Sequence, residues 1–264
     1  MHMQGVLRGL THRYDRPINY FVHLGDEQIT LNDYIGEKIR LTFQGQIECI
    51  HCGRKIKKTY NNGYCFPCFK RLPENDLCMV KPHLCHFNEG TCRDEQFGKT
   101  QCMVPHYVYL ALSSDIKVGI TRKNRELKRW VDQGALKAVP IAEVPSRKTA
   151  GELEAFLAKY VPDKTNWRKM LKGPVTDKSL QAVREEMVDI IPETFRPFLL
   201  TNEELIDFTY PILEELDQIK AYNLHKTPMI QDRLIGIKGQ YLLFDAGVIN
   251  MKKYAGYHIG IQVG

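Results

Sequence analysis

All eight cysteines of the chain fall between Cys49 and Cys102, a span with few long apolar runs and so little means of closing a core by hydrophobic burial alone. The first four read Cys49-x2-Cys52, then Cys65-x2-Cys68. Thiolates paired in this way on tight turns can meet one tetrahedral ion, which predicts a zinc ribbon. Gly53 follows the first pair, and Asn61-Asn62-Gly63 forms a hairpin turn just before the second, folding the two knuckles together. Disulfides of a secreted protein and buried free thiols are the alternatives. The start Met1-His2-Met3-Gln4-Gly5-Val6-Leu7-Arg8 lacks the apolar run of a signal peptide, so a reducing, cytoplasmic location is expected, where disulfides do not persist.

Cys78, Cys85, Cys92 and Cys102 lack the paired knuckle, but with His83, His86 and His106 among them they predict a second zinc site. His86 could replace Cys85 or Cys102, and one or two of these thiols could instead be small buried side chains. Either way the span from Cys49 to Cys102 is expected to depend on metal and to unfold locally without it.

At 264 residues the chain can hold one large unit or two to three small ones. Its 43% hydrophobic and 26% charged residues are those of a globular protein, and no stretch approaches a membrane span. The net charge of +6 is unevenly spread. Cations outnumber carboxylates from Lys99 to Arg184, and carboxylates dominate from Glu185 to Lys220. A basic middle of this kind suits phosphates, although two solvated faces of opposite sign would read the same way.

Both ends read as strands. Tyr20–Leu24, Ile29–Leu31 and Ile39–Phe43 alternate apolar and polar residues, as do Leu234–Ile237, Gln240–Phe244 and His258–Val263. Tyr34-Ile35-Gly36-x-x-Ile39-x-Leu41-x-Phe43 and Tyr254-Ala255-Gly256-x-x-Ile259-x-Ile261-x-Val263 share a pattern, each after an Asn, Asn32 or Asn250. The two ends are therefore expected to pair into one β-barrel or sandwich, because a lone three-stranded sheet buries too little. Between them, helices are predicted at Thr149–Tyr160, stopping before Pro162, and at Ser179–Ile191, closed by Pro192. Thr201-Asn202-Glu203-Glu204 reads as a capping box opening an acidic helix, interrupted at Pro211 before Leu213–Tyr222. That segment carries no chemistry; packing or a protein partner is its expected use.

After the cysteines, His106–Leu112 and Ile116–Thr121 form a hairpin around Ser113-Ser114-Asp115, and Arg122–Trp130 opens a basic helix. This order, over about residues 107–166, resembles the GIY-YIG nuclease superfamily, whose small α/β domain begins with such a hairpin and then places an Arg on the next helix and a Glu on a later one. Tyr107-Val108-Tyr109 stands at the first motif and Lys117-Val118-Gly119-Ile120-Thr121 at the second. Arg129 resembles the helical Arg, with Arg125 as a rival. Glu154 resembles the metal-binding carboxylate and Asn166 the late Asn. Tyr107 replaces the first motif's Gly, Lys117 the second motif's Tyr, and Gln133 a His or Tyr one turn after the Arg. The chain as a whole also resembles a bacterial family of unknown function.

The resemblance implies catalytic roles for Tyr109, Lys117, Arg129 and Glu154. Adjacent strands would bring Tyr109 beside Lys117, whose ammonium would lower the phenol's pKa and make it a base. Arg129 would grip the phosphate and Glu154 a Mg²⁺ at the leaving group. Taken singly, each has a plain alternative: paired strand aromatics, a solvated Lys117, a surface Arg129 and a salt-bridged Glu154. Trp167 beside Arg168, near Asn166, suits base stacking with phosphate contact, or else a loop with Trp167 buried. Arg54, Lys55, Lys57 and Lys58 of the ribbon, with Arg122 and Arg125, add further cations for nucleic acid.

The reading is an α+β protein of five parts. A β segment, 1–48, pairs with a second at 226–264; between them come a cysteine cluster at 49–104, a GIY-YIG-like domain at 105–175 and an acidic helical segment at 176–225. Its expected function is zinc-supported nucleic-acid binding, with Mg²⁺-dependent phosphodiester cleavage if catalytic. A noncatalytic nucleic-acid module or a protein adaptor is the alternative.

Overall fold

Residues that alternate apolar and polar with a period of two pleat into strands, and twelve form among the described residues. They are β1 (His2–Arg13), β2 (Asn19–Leu24), β3 (Glu27–Thr30), β4 (Lys38–Ile47), β5 (His106–Leu112), β6 (Ile116–Arg122), β7 (Lys137–Val144), β8 (Ile206–Asp207), β9 (Met229–Lys238), β10 (Tyr241–Phe244), β11 (Gly247–Asn250) and β12 (Tyr257–Val263). The α-helices are α1 (Phe66–Arg71), α2 (Glu95–Phe97), α3 (Glu126–Asp132), α4 (Arg147–Leu157), α5 (Trp167–Lys172) and α6 (Leu180–Ile190). The structure is a computed structural model and describes every residue except Met1, Pro174, Val175, Asp177, Asn202, Asp217 and Gln218. It divides into two compact units, one of residues 1–70 with 209–264, the other of residues 71–208. The boundary at Arg71 falls between the two groups of cysteines.

The first unit is built on an eight-stranded antiparallel sheet in the order β11-β10-β9-β4-β12-β1-β2-β3. The strands of the two chain ends thus lie in one sheet, with Ile259 opposite Phe43 and Ile261 opposite Leu41 at its centre. The order is symmetric about that central pair. On one side β4 continues through β9, β10 and β11, and on the other β12 continues through β1, β2 and β3. The two patterned segments occupy equivalent places, each entering a central strand from a short 3-10 turn, Asn32–Tyr34 before β4 and Met251–Tyr254 before β12. Gly36 and Gly256 end these turns with φ of +98° and +89°, backbone that side chains resist. A register shift between Leu7 and Leu10 bends β1. There the buried Gln240 side chain accepts from Leu10 N–H and donates to Leu10 C=O, each at 3.0 Å, so the sheet curls toward the β9–β10 turn.

The second unit centres on a four-stranded antiparallel sheet, β6-β5-β7-β8. Val108, Leu110, Val118, Val139, Ile141 and Val144 pack there against Ala150, Leu153 and Leu157 of α4 and Leu180, Val183 and Met187 of α6, all buried. Each such Leu or Val contributes about 1.5–3 kcal/mol by leaving water. Both helices are capped as their sequences require. Ser146 Oγ accepts from Thr149 N–H at 3.2 Å, and Ser179 Oγ from Ala182 N–H at 3.4 Å. The apolar run of β7, interrupted by Pro140, lies beside β5 with most of its residues buried, which erases the alternation that marks a half-exposed strand.

Two expectations are overturned. The segment from Leu213 to Tyr222 and the stretch opened by Thr201 hold no helix among the described residues, and Asn202 of the expected capping box lies outside them. Open sheet edges claim this backbone instead. Ile206 and Asp207 pair with Ala138 and Lys137 of β7, Leu213 N–H donates to Ile235 C=O at 2.7 Å, and Tyr222 N–H donates to Val248 C=O at 2.8 Å. An acidic helical surface for a protein partner therefore reduces to α6 and the 3-10 turn Glu193–Phe198. Second, the alternative of a loop with Trp167 buried does not hold: residues 167–172 form α5, and Trp167 is half-buried.

Candidate functional site

In the first unit the sulfurs of Cys49, Cys52, Cys65 and Cys68 all lie within 4.8 Å of one another. Local hydrogen bonds explain the convergence. Gly53 N–H donates to Cys49 C=O, and Ile50 N–H donates to Gly63 C=O, both at 2.9 Å, bringing one knuckle against the turn that carries the other. Asn61 and Asn62 hold φ of +42° and +56°, the left-handed pair that closes Tyr60 onto Tyr64. Glu48 N–H donates to Gly256 C=O at 2.7 Å, fixing the ribbon to the start of β12, where a Cβ on Gly256 would stand 2.2 Å from Glu48 O. Burial raises the Cys49 thiol, but amides of Cys52, Cys65 and His51 outweigh it and bring it down to about 6. Burial and the neighbouring sulfurs push Cys68 up to about 12. Four thiols so arranged, three of them buried, are compatible with a zinc ribbon. Arg54, Lys55, Lys57 and Lys58 are exposed on it, with Lys58 Nζ 5.2 Å from the Tyr60 ring centre.

In the second unit Cys78, Cys85, Cys92 and Cys102 line one cavity of about 10 Å³ together with Asp76 and His86. Cys78, Cys85 and Cys102 are buried, and Cys92, half-exposed, donates to Asp94 C=O at 3.2 Å. The tightest convergence is not the expected four sulfurs but Asp76, Cys78 and His86, whose ligand atoms lie within 4.8 Å of one another. Asp76 carries its own partners: Arg93 Nε at 2.5 Å and Cys78 N–H at 3.4 Å.

The four residues implicated in phosphate chemistry come from four elements of this unit: Tyr109 on β5, Lys117 on β6, Arg129 on α3 and Glu154 on α4. Tyr109 lies opposite Gly119, and Lys117, two residues earlier, shares that face. Both bond the same acceptor. Gln133 Oε1 takes the Tyr109 hydroxyl at 3.0 Å and the Lys117 ammonium at 2.6 Å. Gly119 makes room, since a Cβ there would stand 2.7 Å from the Tyr109 ring. Trp130 meets the ring edge-on at 5.5 Å.

The charges of these groups act on one another. Burial lowers the Lys117 ammonium to about 7, with Arg129 lowering it further and Glu154 and Asp163 opposing. Burial raises the Glu154 carboxyl, against the pull of Arg129 and Arg147. Burial likewise raises the fully enclosed Tyr109 phenol, and the cation acting on it is Arg129. The expected lowering of Tyr109 by Lys117 is therefore incorrect: an ionised phenol would lie in a dry strand interface, and Lys117 is itself driven toward neutrality.

The remaining residues are more scattered. Arg129 and Arg125 are exposed at the end and start of α3, while Arg122 donates to Gln101 Oε1. Asn166 caps α5, its Oδ1 accepting from Arg168 and Lys169 N–H at 3.1 and 3.2 Å. The Arg168 guanidinium lies 4.2 Å over the Trp167 ring. His106 is sealed in the core, held by Val104 C=O at 2.7 Å and lowered by burial to about 4. Sequence reasoning noted Gln133 only as a departure from a motif and missed Asp163 and Arg147. Their link to the cluster is through space, and only Gln133, one turn from Arg129, left a trace in the sequence.

These features define a two-unit protein of mixed helix and strand with a four-cysteine, zinc-compatible ribbon. Residues 36–259 match the family model described as "Protein of unknown function (DUF2797)", and the chain belongs to that family. No curated protein and no solved structure matches it. Among the described residues no helix is long and apolar enough to cross a membrane.

Proposed function

We propose that the second unit binds nucleic acid and hydrolyses its phosphodiester bonds at the cluster of Lys117, Arg129, Glu154 and Gln133, with the ribbon of the first unit held by zinc. The observation that carries this reading is that Tyr109 on β5, Lys117 on β6 and Glu154 on α4 are each shifted by burial and each feel the charge of Arg129 on α3. The β5–β6 hairpin, the Arg on the helix that follows and the Glu on the next helix also support the resemblance to GIY-YIG nucleases.

Exposure falls from Arg129 through half-buried Glu154 to Lys117 and Tyr109, so the cluster has a wet lip and a dry floor. At the lip the Arg129 guanidinium offers paired donors to a phosphate. Lys117, the one group lowered to about 7, takes the proton of the attacking water as a neutral amine. Glu154 would hold a divalent cation such as Mg²⁺, which supplies positive charge at the leaving oxygen. Gln133 fixes the Lys117 and Tyr109 side chains, so Tyr109 positions rather than reacts. In the second unit Arg122, Arg125, Trp167 and Arg168 add sequence-independent contacts to the polyanion, and Arg54, Lys55, Lys57 and Lys58 give the first unit's ribbon a basic surface of its own.

A noncatalytic binding module is the second reading, favoured by the burial of Lys117 and Tyr109. Incubating the purified protein with labelled DNA and RNA oligonucleotides and Mg²⁺ separates the two. Cleavage that disappears in Glu154→Ala is expected. Salt-sensitive binding without cleavage by either protein selects the binding module, and neither binding nor cleavage overturns both.

A further inference from the structure

The cavity in the second unit, lined by four cysteine sulfurs, stands beside a partly buried cation. Arg147, the first residue of α4, donates from Nη2 to Met79 C=O at 2.9 Å, but its Nε is sealed from solvent with no hydrogen-bond partner among the described residues. Burial disfavours its charge; the sulfurs of Cys102 and Cys78 and the Glu154 carboxylate favour it, and Arg129 opposes it. Four sulfurs gathered on one small cavity are a ligand set for a divalent ion, and thiolates sharing such an ion would be further favoured by the guanidinium beside them. We propose that Cys78, Cys85, Cys92 and Cys102 form a second tetrathiolate site for a borderline-soft divalent cation, zinc being the fitting class, with Arg147 offsetting its negative charge.

The cavity of about 10 Å³ that these sulfurs line has room for a single ion. Asp76 and His86 contribute from outside the coordination sphere. The carboxylate is occupied by Arg93 and Cys78 N–H, and His86 Nδ1 meets Thr91 Oγ1 at 2.7 Å. Sulfur donors also outcompete a hard carboxylate for such an ion. Four sulfurs drawn around it tie the segment from Asp76 to Cys102 into one piece. That piece lies directly on α4, where a Cβ on Gly151 would stand 2.4 Å from Pro82 Cβ. The site thereby braces the helix that carries Glu154, and it stands independently of any reaction there.

The test is metal content of the intact full-length protein, purified without added chelator. Two zinc ions per chain are expected, falling to one in Cys102→Ser and to one in Cys52→Ser. Arg147→Met should hold the second ion about tenfold more weakly in chelator competition, as expected when a neighbour supporting the ligands is lost. If the cysteine variants fail to fold, a mercurial titration of the wild type decides. Zinc release that continues until all eight thiols have reacted supports the site, and release complete after four overturns it. One ion per chain in the wild type also overturns it, as does an ion lost in Asp76→Ala but kept in Cys92→Ser.

Discussion

Lys117 shows how a single position can change character on folding. In the sequence it is a polar residue in an apolar strand; in the protein it is 3% exposed and bonded to Gln133. Because its folded pKa of about 7 lies below its unfolded value of 10.5, the unfolded chain holds the extra proton between these limits. Lys117 therefore destabilises the fold fully below pH 7, and the penalty is relieved as pH rises toward 10.5. The stability of wild type relative to Lys117→Met should accordingly climb from pH 7 to pH 9, measured by denaturant unfolding at each pH. A difference flat across that window would place the ammonium in solvent. Gly119 makes a steric counterpart: Gly119→Ala drives a methyl into the Tyr109 ring. It should lower stability by about 1–3 kcal/mol, visible as a reduced midpoint of thermal unfolding. An unchanged midpoint would mean that the ring moves aside freely.

Among the elements, α4 joins the cysteine cavity to the buried ionisable cluster of the second unit, with Arg147 beside the cavity at its start and Glu154 two turns later. Gly151→Ala would press the helix off Pro82 and His83 N. The expected result is faster hydrogen exchange in α4 and in residues 82–85, with β9–β12 of the other unit unchanged; protection equal to wild type would refute the close packing. The helix was legible in the sequence because Leu153, Phe156 and Leu157 recur at helical spacing, and α6 because Ser179 and Pro192 bracket it. Strand β7 was not, since its residues are buried without alternation and Pro140 reads as a breaker. The acidic segment misled for a related reason. Thr201 and Glu204 carry a local capping signal, but the edges of β7 and β11 and the end of β9 that runs past β4 offer that backbone hydrogen bonds that no local pattern records.

Across the whole molecule, the repeat glimpsed in Tyr34–Phe43 and Tyr254–Val263 becomes a symmetric sheet of strands from both chain ends, with the cysteine ribbon tied to its centre through Glu48 and Gly256. The four-cysteine cluster could be read from spacing because the turns that bring its sulfurs together are local. The cluster of Tyr109, Lys117, Arg129 and Glu154 could be read only as an order of elements, because Gln133, Asp163 and Arg147 join it through tertiary packing. Removing zinc with a chelator should loosen residues 48–69 while β1, β4 and β12 keep their exchange protection, because the sheet has its own apolar core. Loss of protection throughout that sheet would show that the ion, not the core, holds the first unit together. If Lys117, Arg129 and Glu154 act together on a phosphodiester, the rate of Mg²⁺-dependent oligonucleotide cleavage should rise with pH through an apparent pKa near 7 in the wild type and be abolished in Lys117→Met; a Lys117→Met protein that cleaves with the wild-type pH–rate profile would show that Lys117 takes no part.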